Sequence, residues 1–304
     1  MESSYLRRPI PASALSDDAV AQFAGADGLF KGRPPPVLAS ARELAQRARS
    51  GLGNQVHPAL RARLSFDGRR PVWDARVFDV LGNATLGALS PPGYPHAITD
   101  ILTALETVQR YTGFRSCGRL SSCLVVGSIT PWVELALLRR ASTVCRAVVT
   151  LDHNPPVLAD GRFGDRLRTL AANAPPPAGR FDLIVSFSGL EHSGLTWYGD
   201  ALDPNGDITA AGQIAAMLAR RGGCALLAMP ISDNATDVVW PQHRLYGPQR
   251  YRRVTRHFTD DALGFVWDGK VLSDPFHPSL VRAARATAAD WQYQPVAMLV
   301  HDAA

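Results

Sequence analysis

The sequence is poor in lysine and lacks long apolar runs, and each shortage excludes a class of protein. Lysine occurs only at Lys31 and Lys270, so arginine carries nearly all the positive charge of a chain whose formal net charge is +5. The basic clusters are short, and we do not expect a nucleic-acid partner. No stretch approaches the roughly 20 apolar residues of a membrane span. The N-terminus has no apolar core of the kind that a secretory signal needs.

Cysteine is also scarce, and its spacing matters more than its number. The four cysteines are Cys117, Cys123, Cys145 and Cys224. No pair has zinc-ligand spacing, so no metal site is predicted. Cys123 and Cys224 lie inside apolar runs, where cysteine usually behaves as a small hydrophobe. We therefore expect no disulfide framework and a cytoplasmic or other reducing compartment, with the organelle left open.

A run of prolines and glycine divides the chain into two predicted parts. The segment 90–95, Ser-Pro-Pro-Gly-Tyr-Pro, is typical of a boundary. It predicts an irregular and partly helical N-terminal extension over 1–95 and one α/β domain over 96–304. The domain begins with an amphipathic helix, predicted over 97–112. Asp207 is expected to cap a further helix over 208–220.

Short apolar runs alternate with helical segments through the second part. The predicted strands cover 120–126, 147–151, 167–171 (a weak candidate), 181–187, 224–229 and 294–300. Runs without polar alternation are typical of a parallel sheet covered on both faces. The pattern predicts a doubly wound, Rossmann-like α/β fold.

The most informative chemistry lies after the first two predicted strands. The first strand ends in Gly127, which is followed by Ser128 and a helix, and the second ends in Asp152 and His153. Glycine lets a backbone approach a ligand, and an acid at the next strand end can accept ribose hydroxyls. Asp152 fits the ribose of S-adenosylmethionine or of NAD, and it could equally cap a turn. Because the loop has one glycine instead of three, it favours a ligand without a pyrophosphate, which is S-adenosylmethionine.

Polar residues also follow the fourth and fifth predicted strands. Ser186 ends the fourth strand, and Glu191 and His192 follow in the same loop. A histidine there can act as a general base, or it can merely order the loop. His243, Arg244 and Tyr246 follow the fifth strand, where residues that face a substrate often lie. Each of these could also be structural.

Together these segments resemble the class I S-adenosylmethionine-dependent methyltransferases. More narrowly, the chain resembles a methyltransferase-like family first catalogued as a domain of unknown function in nematode proteins. The segments that carry this resemblance are Val125–Glu134, Thr150–Pro156, Phe181–Asp200, Leu202–Asp207 and His243–Gly247. The resemblance implies a seven-stranded methyltransferase sheet with its last strand antiparallel. It makes Gly127 and Asp152 the cofactor residues.

We therefore expect S-adenosylmethionine-dependent methyl transfer to an oxygen or nitrogen of an unidentified small or glycan-like acceptor. In this hypothesis Gly127, Ser128, Asp152, His153 and Ser186 bind the cofactor, Glu191 and His192 are catalytic, and His243, Arg244 and Tyr246 contact the acceptor. The alternative is a catalytically inactive methyltransferase-fold subunit of a larger assembly, with a protein partner bound through the N-terminal extension. A dinucleotide-dependent oxidoreductase is a third, weaker hypothesis.

Overall fold

The computed structural model describes most of the chain beyond residue 55. The described residues are 56, 58–60, 64–110, 120–140, 145–173, 181–195, 197–219, 221–233, 236–239, 242–259, 262–287 and 292–302. Of the predicted N-terminal extension, residues 1–55 lie outside this set.

Helices and strands alternate from residue 97 onward, as the apolar pattern predicts. The helices are α1 (Ala75–Asn83), α2 (Ala97–Arg110), α3 (Trp132–Arg140), α4 (Gly206–Met217), α5 (Pro248–Thr255) and α6 (Pro278–Thr287). The strands are β1 (Ser65–Asp67), β2 (Arg70–Trp73), β3 (Leu120–Val126), β4 (Cys145–Asp152), β5 (Val157–Leu158), β6 (Leu167–Ala171), β7 (Leu183–Phe187), β8 (Arg221–Ala228), β9 (Asp237–Val239), β10 (His243–Leu245), β11 (Gly264–Trp267), β12 (Lys270–Leu272) and β13 (Val296–Asp302).

The central sheet confirms the predicted doubly wound fold. Its strand order is β12-β11-β13-β8-β7-β3-β4-β6. The five strands from β8 to β6 are parallel, and β13 runs antiparallel to β8. The expected seven strands with an antiparallel last strand are present. The sheet has eight strands, one more than expected, because the short edge strand β12 pairs with β11.

The extra hairpin β11–β12 is held by a buried acid of α2. Asp268 and Gly269 form its turn, with φ values of 51° and 71°, which a two-residue hairpin turn of this hand requires. The Asp100 carboxylate accepts the Gly269 N–H at 2.7 Å and the Asp268 N–H at 3.3 Å. Burial raises the pKa of Asp100 to about 6, although these two hydrogen bonds oppose the shift.

Residues before the predicted boundary pack into the same core as the sheet. β1 and β2 form an antiparallel hairpin, and β2 also pairs in parallel with β5, which lies between β4 and β6 in the chain. One apolar cluster joins Trp73 and Phe78 of the N-terminal part to Val125 of β3. The boundary at residue 95 stays a prediction, but Trp73 and Phe78, which precede it, pack into the core of the sheet.

The sequence analysis, which expected no disulfide framework, did not foresee a single disulfide between two strands. Cys123 of β3 and Cys145 of β4 form a disulfide, and both residues are buried. The two cysteines lie 22 positions apart in the sequence, and the bond joins neighbouring strands of the sheet. The apolar surroundings of Cys123 predicted its burial correctly. They gave no indication of which strand would lie next to it.

The helix after residue 205 also begins differently from the prediction. Its N-cap residue is Asn205, and Asp207 lies in the first turn of α4. The Asp207 side chain is buried and bonds to residues of β10–α5 instead of capping its own helix. Among the described helices, none is long and apolar enough to cross a membrane.

Candidate functional site

Two glycines bring the loops after β3 and β7 into contact. Gly127 has a φ of 77°, in the left-handed region that favours glycine. A Cβ at position 127 would lie 3.3 Å from the Gly189 Cα. A Cβ at position 189 would in turn lie 3.0 Å from both the Ser186 Oγ and the Val126 carbonyl oxygen. Both positions therefore need glycine, and the two loops form adjoining walls at the carboxyl edge of the sheet.

Asp152 connects the loop after β3, which we call the glycine loop, to the end of β4. Its Oδ2 accepts the Ser128 N–H at 3.0 Å, and its Oδ1 accepts the Asn154 N–H at 2.7 Å. A carboxylate has about four acceptor positions, so these two bonds leave about one on each oxygen. Burial raises the pKa of Asp152 despite these bonds and the nearby charges of His153 and His192. Asp152 can thus hold the loop and still accept two hydroxyl donors.

The other residues of the glycine loop are turned toward the protein. The Ser128 hydroxyl is buried and donates to the Thr130 carbonyl oxygen at 3.0 Å. The Ile129 carbonyl oxygen accepts the Trp73 indole N–H at 3.0 Å. His153, next to Asp152, is exposed. Ser128 therefore acts on Asp152 through its backbone, while His153 lies at the rim.

A second acid lies beneath the same loop. Glu134, in the first turn of α3, is fully buried, and its Oε1 accepts the Thr150 hydroxyl at 2.8 Å. Its Oε2 has no hydrogen-bond partner. Burial raises the pKa of Glu134 to about 7, with a further increase from the charge of Asp152. Glu134 consequently changes its charge near neutral pH, directly under the loop that Asp152 holds.

A hydrogen-bonded cluster, with Ser188 at its centre, lies at the carboxyl end of β7. We call this region the β7 mouth. Ser188 has a φ of 54°, which is uncommon outside glycine and often marks a functional site. Its hydroxyl donates to the Glu191 Oε1 at 2.5 Å and accepts the Gln294 Nε2–H at 3.2 Å. Since the Ser188 proton is used toward Glu191, Tyr94 donates its hydroxyl proton to the Ser188 Oγ, at 2.8 Å. The chain of donors runs from Tyr94 through Ser188 to Glu191.

The contacts of His192 determine which of its ring nitrogens carries the proton. Its Nδ1 lies 2.5 Å from the Gln242 carbonyl oxygen. A carbonyl can only accept, so the Nδ1 carries the hydrogen and the Nε2 of the neutral ring holds a lone pair. This Nε2 has no hydrogen-bond partner and lies 3.7 Å from the Glu191 Oε1. His192 therefore presents the nitrogen that a general base needs.

Unpartnered buried polar atoms are concentrated around this mouth. Native proteins pair most buried polar atoms, so such a group of exceptions needs a physical reason. Among the described residues between positions 186 and 243, these atoms are the Ser186 Oγ, the Glu191 Oε2, the His192 Nε2, the Asp200 Oδ1 and the His243 Nε2. Most are hydrogen-bond acceptors, so the mouth suits a ligand that brings donors.

The walls of the mouth are aromatic. The Phe187 ring packs edge-on against Tyr94 at 5.2 Å and against Trp132 at 5.4 Å between centroids. The Tyr198 ring packs against His192 at 5.2 Å. Burial raises the pKa of Tyr198, and the charges of Asp152 and Glu191 raise it further. Tyr198 thus contacts His192 through its ring, and its backbone carbonyl accepts the Asn154 Nδ2–H at 2.9 Å, which joins this wall to the segment after Asp152.

Two of the three predicted acceptor residues lie in a different cluster. Tyr246 donates its hydroxyl proton to the Asp207 Oδ2 at 2.9 Å. The Arg244 guanidinium, which is buried, donates to four backbone carbonyls, of which Ser193 is the nearest at 2.6 Å. Arg250 donates to both oxygens of Asp207, at 2.9 and 2.6 Å. We call Asp207, Arg244, Tyr246 and Arg250 the Asp207 cluster.

The third predicted acceptor residue, His243, borders the β7 mouth. Its ring lies 6.4 Å from the ring of His192, between centroids. Burial lowers the pKa of His243 to about 3, with a smaller contribution from His192. His243 is therefore neutral at physiological pH.

The structure thus gathers some of the predicted residues and separates others. Gly127, Ser128 and Asp152 come together, and Glu191 and His192 form a neighbouring pair. The predicted roles of these residues, and those of Ser186 and His153, stay predictions. The sequence analysis missed Glu134, whose burial in helix α3 has no local signal. It also missed Gly189, although a glycine two residues before the Glu-His pair could have indicated a close approach.

No group of three or more His, Cys, Asp or Glu residues in the described part of the chain could hold a metal ion.

The family resemblance read from the sequence is confirmed by comparison with known families. Residues 121–259 match the family described as "Caenorhabditis protein of unknown function, DUF268". The matched segment begins in β3 and ends just after α5. It contains all the site residues that the sequence predicts. No curated protein matches the chain.

Solved structures similar to this chain include several methyltransferases. An O-methyltransferase family protein from Burkholderia thailandensis has a TM-score of 0.42 and 12% identity, and the match covers 69% of this chain and 60% of that protein. Magnesium protoporphyrin IX methyltransferase from Synechocystis PCC 6803, with bound SAH, has a TM-score of 0.38 and 10% identity. That match covers 68% of this chain and 87% of the Synechocystis protein. The chain spans less than two thirds of the Burkholderia protein's length.

Proposed function

We propose that the chain binds S-adenosylmethionine at the glycine loop and transfers its methyl group to an oxygen or nitrogen of a small or glycan-like acceptor. The observation that carries the proposal is the juxtaposition at one edge of the sheet. There, the loop held by Asp152 adjoins the Glu191 Oε2 and the His192 Nε2, two buried atoms without a hydrogen-bond partner. In doubly wound sheets, ligands bind beyond the carboxyl ends of the strands, where these residues lie.

The residues at the glycine loop fit the cofactor. Gly127 offers backbone without a side chain, and Asp152 keeps one acceptor position on each oxygen, as two adjacent ribose hydroxyls require. Ser128 supports Asp152 through its N–H, and His153 lies at the rim. When bound, S-adenosylmethionine supplies an activated methyl group, so the protein's task is alignment and proton removal.

The β7 mouth supplies the proton acceptor. The His192 Nε2 takes the proton from the attacking oxygen or nitrogen, and the Gln242 carbonyl keeps the Nδ1 protonated. The Glu191 Oε2 accepts a hydrogen bond from the acceptor and stabilises the imidazolium that forms. Ser186 and neutral His243 offer further polar contacts along the same wall.

The acceptor is neutral and rich in hydrogen-bond donors under this proposal. The unpartnered atoms at the mouth are mainly acceptors, and the Arg244 guanidinium is already engaged by four backbone carbonyls and by Asp207. Arg244 and Tyr246 therefore support the Glu191 loop instead of contacting the acceptor. This revises the role predicted for them from their position in the sequence.

Calorimetric titration with S-adenosylhomocysteine tests the cofactor site. We expect saturable binding by the wild-type protein and at least a tenfold weaker affinity in Asp152→Ala. Asp165→Ala is the matched control, because Asp165 is an exposed acid paired only with Arg168 in the described structure. If folded wild-type protein shows no binding at millimolar ligand, the proposal fails.

One observation favours the inactive alternative. Both Asp152 oxygens already accept backbone N–H groups, so the acid could be purely structural. In that case Asp152→Ala would lower stability, and neither protein would bind the cofactor. The protein would then act as a methyltransferase-fold subunit whose N-terminal extension contacts a protein partner.

A further inference from the structure

The N-terminal hairpin, β1–β2 (residues 65–73), reaches the glycine loop through Trp73. Trp73 is fully buried, and its indole N–H donates to the Ile129 carbonyl oxygen at 3.0 Å. Ile129 is two residues after Gly127, in the loop whose backbone adjoins the β7 mouth. The bond joins positions 56 residues apart, so the hairpin fixes this loop from outside the β3–α3 unit.

The same hairpin holds the segment that follows Asp152. The Arg70 Nε–H donates to the Pro155 carbonyl oxygen at 2.8 Å. β2 then pairs with β5, and the Ala159 N–H donates to the Trp73 carbonyl oxygen at 3.0 Å. This segment begins at Asp152, so the hairpin restrains the path of the chain just after that residue.

A third contact reaches the loop that carries Tyr198. Gly199 has a φ of 92°, and a Cβ there would lie 2.5 Å from the Arg69 Nη1. The Asn154 Nδ2–H donates to the Tyr198 carbonyl oxygen at 2.9 Å, which joins this loop to the segment after Asp152. The hairpin therefore contacts all three loops around the proposed cofactor site.

We infer that the N-terminal hairpin is a positioning element of the cofactor site, with Trp73 as its principal contact to the glycine loop. The inference rests on the proposed function for the identity of the ligand. The restraint on the three loops follows from the contacts above. In this inference, residues 65–73 contribute to cofactor binding. The sequence analysis assigned cofactor binding only to residues after 120.

Trp73→Phe tests this inference because it keeps an aromatic ring and removes the indole donor. We expect the Kd for S-adenosylhomocysteine to rise about threefold to tenfold, the effect of losing one hydrogen bond that positions the loop. Hydrogen exchange at the Ser128 and Ile129 amides should also become faster. Trp267→Phe is the matched control. It makes the same change on β11, four strands from β3 in the sheet, and should alter neither quantity.

Arg70→Ala provides a second variant that does not disturb the core, since Arg70 is exposed. It should raise the Kd by about twofold and speed hydrogen exchange at the amides of residues 153, 154, 157 and 158. Unchanged affinity and unchanged loop exchange in both variants would overturn the inference. If the wild-type protein binds no cofactor, the proposed function fails, while the exchange measurements still decide whether the hairpin restrains the loops.

Discussion

Two buried polar clusters lie side by side in this molecule, and they differ in how completely their atoms are paired. In the Asp207 cluster, two arginines and a tyrosine converge on one carboxylate, and Arg244 also donates to backbone carbonyls. In the β7 mouth, the Glu191 Oε2 and the His192 Nε2 have no hydrogen-bond partner. A buried cluster whose polar atoms are hydrogen-bonded stabilises the fold. Buried polar atoms without a hydrogen-bond partner cost free energy, and a ligand that bonds to them removes this cost.

The largest expected effect comes from breaking the saturated cluster. Burial acts to raise the pKa of Asp207, but the charges of Arg244 and Arg250 outweigh it and hold the pKa below its ordinary value. Asp207→Asn leaves two buried guanidinium groups without their counter-charge. We expect the free energy of unfolding to fall by about 3 to 5 kcal/mol, measured by urea denaturation at pH 7.

The pH dependence of this cluster has a definite sign. Because the folded-state pKa of Asp207 is lowered, its contribution is present above the ordinary carboxyl pKa and is lost as the pH falls through the folded value. The Asp207→Asn deficit should therefore shrink in acid. Asp165, the exposed partner of Arg168, provides the control. Asp165→Asn should change the free energy of unfolding by less than about 0.5 kcal/mol. An equal effect of the two substitutions would refute the assignment.

Glu134→Gln should have the opposite effect on stability. The pKa of Glu134 is raised from 4.5 to about 7, so its contribution is fully present below pH 4.5 and is lost as the pH rises through 7. Above pH 8 the variant should be more stable than wild type by up to about 3 kcal/mol. Below pH 4.5 the two proteins should be nearly equal. Thermal unfolding across this range measures the difference, and a constant difference would contradict the account.

Glu191→Gln tests whether the acid of the β7 mouth is functional or structural. Burial raises the pKa of Glu191 against the opposing charge of His192, so its ionised form destabilises the fold. We expect the variant to be more stable than wild type at pH 8 by about 1 kcal/mol, as is common when functional groups are replaced. Methyl transfer to the acceptor should fall at least a hundredfold while the Kd for S-adenosylhomocysteine stays within threefold. A loss of stability like that of Asp207→Asn would place Glu191 among the structural acids.

The smallest expected effect is that of Tyr94→Phe. It removes one donor to the Ser188 Oγ and leaves Gln294 and Glu191 as the partners of that hydroxyl. We expect a stability change of no more than about 1 kcal/mol. A severalfold fall in methyl-transfer rate would show that the donor chain to Glu191 contributes to function.

Much of the fold was predictable because it rests on local patterns. The strand at 120–126 matches its predicted range, because its apolar residues indicate a buried parallel sheet directly. The weak candidate at 167–171 also matches, although it has no continuous apolar run. The edge strand β12 was missed, because Lys270–Leu272 is short and partly exposed and has no such run.

The site was predictable only where its chemistry follows a strand end. Gly127, Asp152 and His192 were proposed in this way, and their roles stay predictions. The saturation of Arg244, the Cys123–Cys145 disulfide and the contact from Trp73 all depend on residues that are distant in sequence. Position after a strand indicates that a side chain can reach the site, but it cannot show whether that side chain is already paired.

The most direct test of the account is the protonation state of His192 in the presence and absence of ligand. Nuclear magnetic resonance of protein labelled with nitrogen-15 histidine, assigned with His192→Gln, reports which ring nitrogen carries the hydrogen. The account predicts a hydrogen on Nδ1, toward the Gln242 carbonyl, and an Nε2 resonance that shifts when S-adenosylhomocysteine is added. A hydrogen on Nε2, together with no response to saturating ligand, would contradict the claim that the open atoms of the β7 mouth form the reacting site.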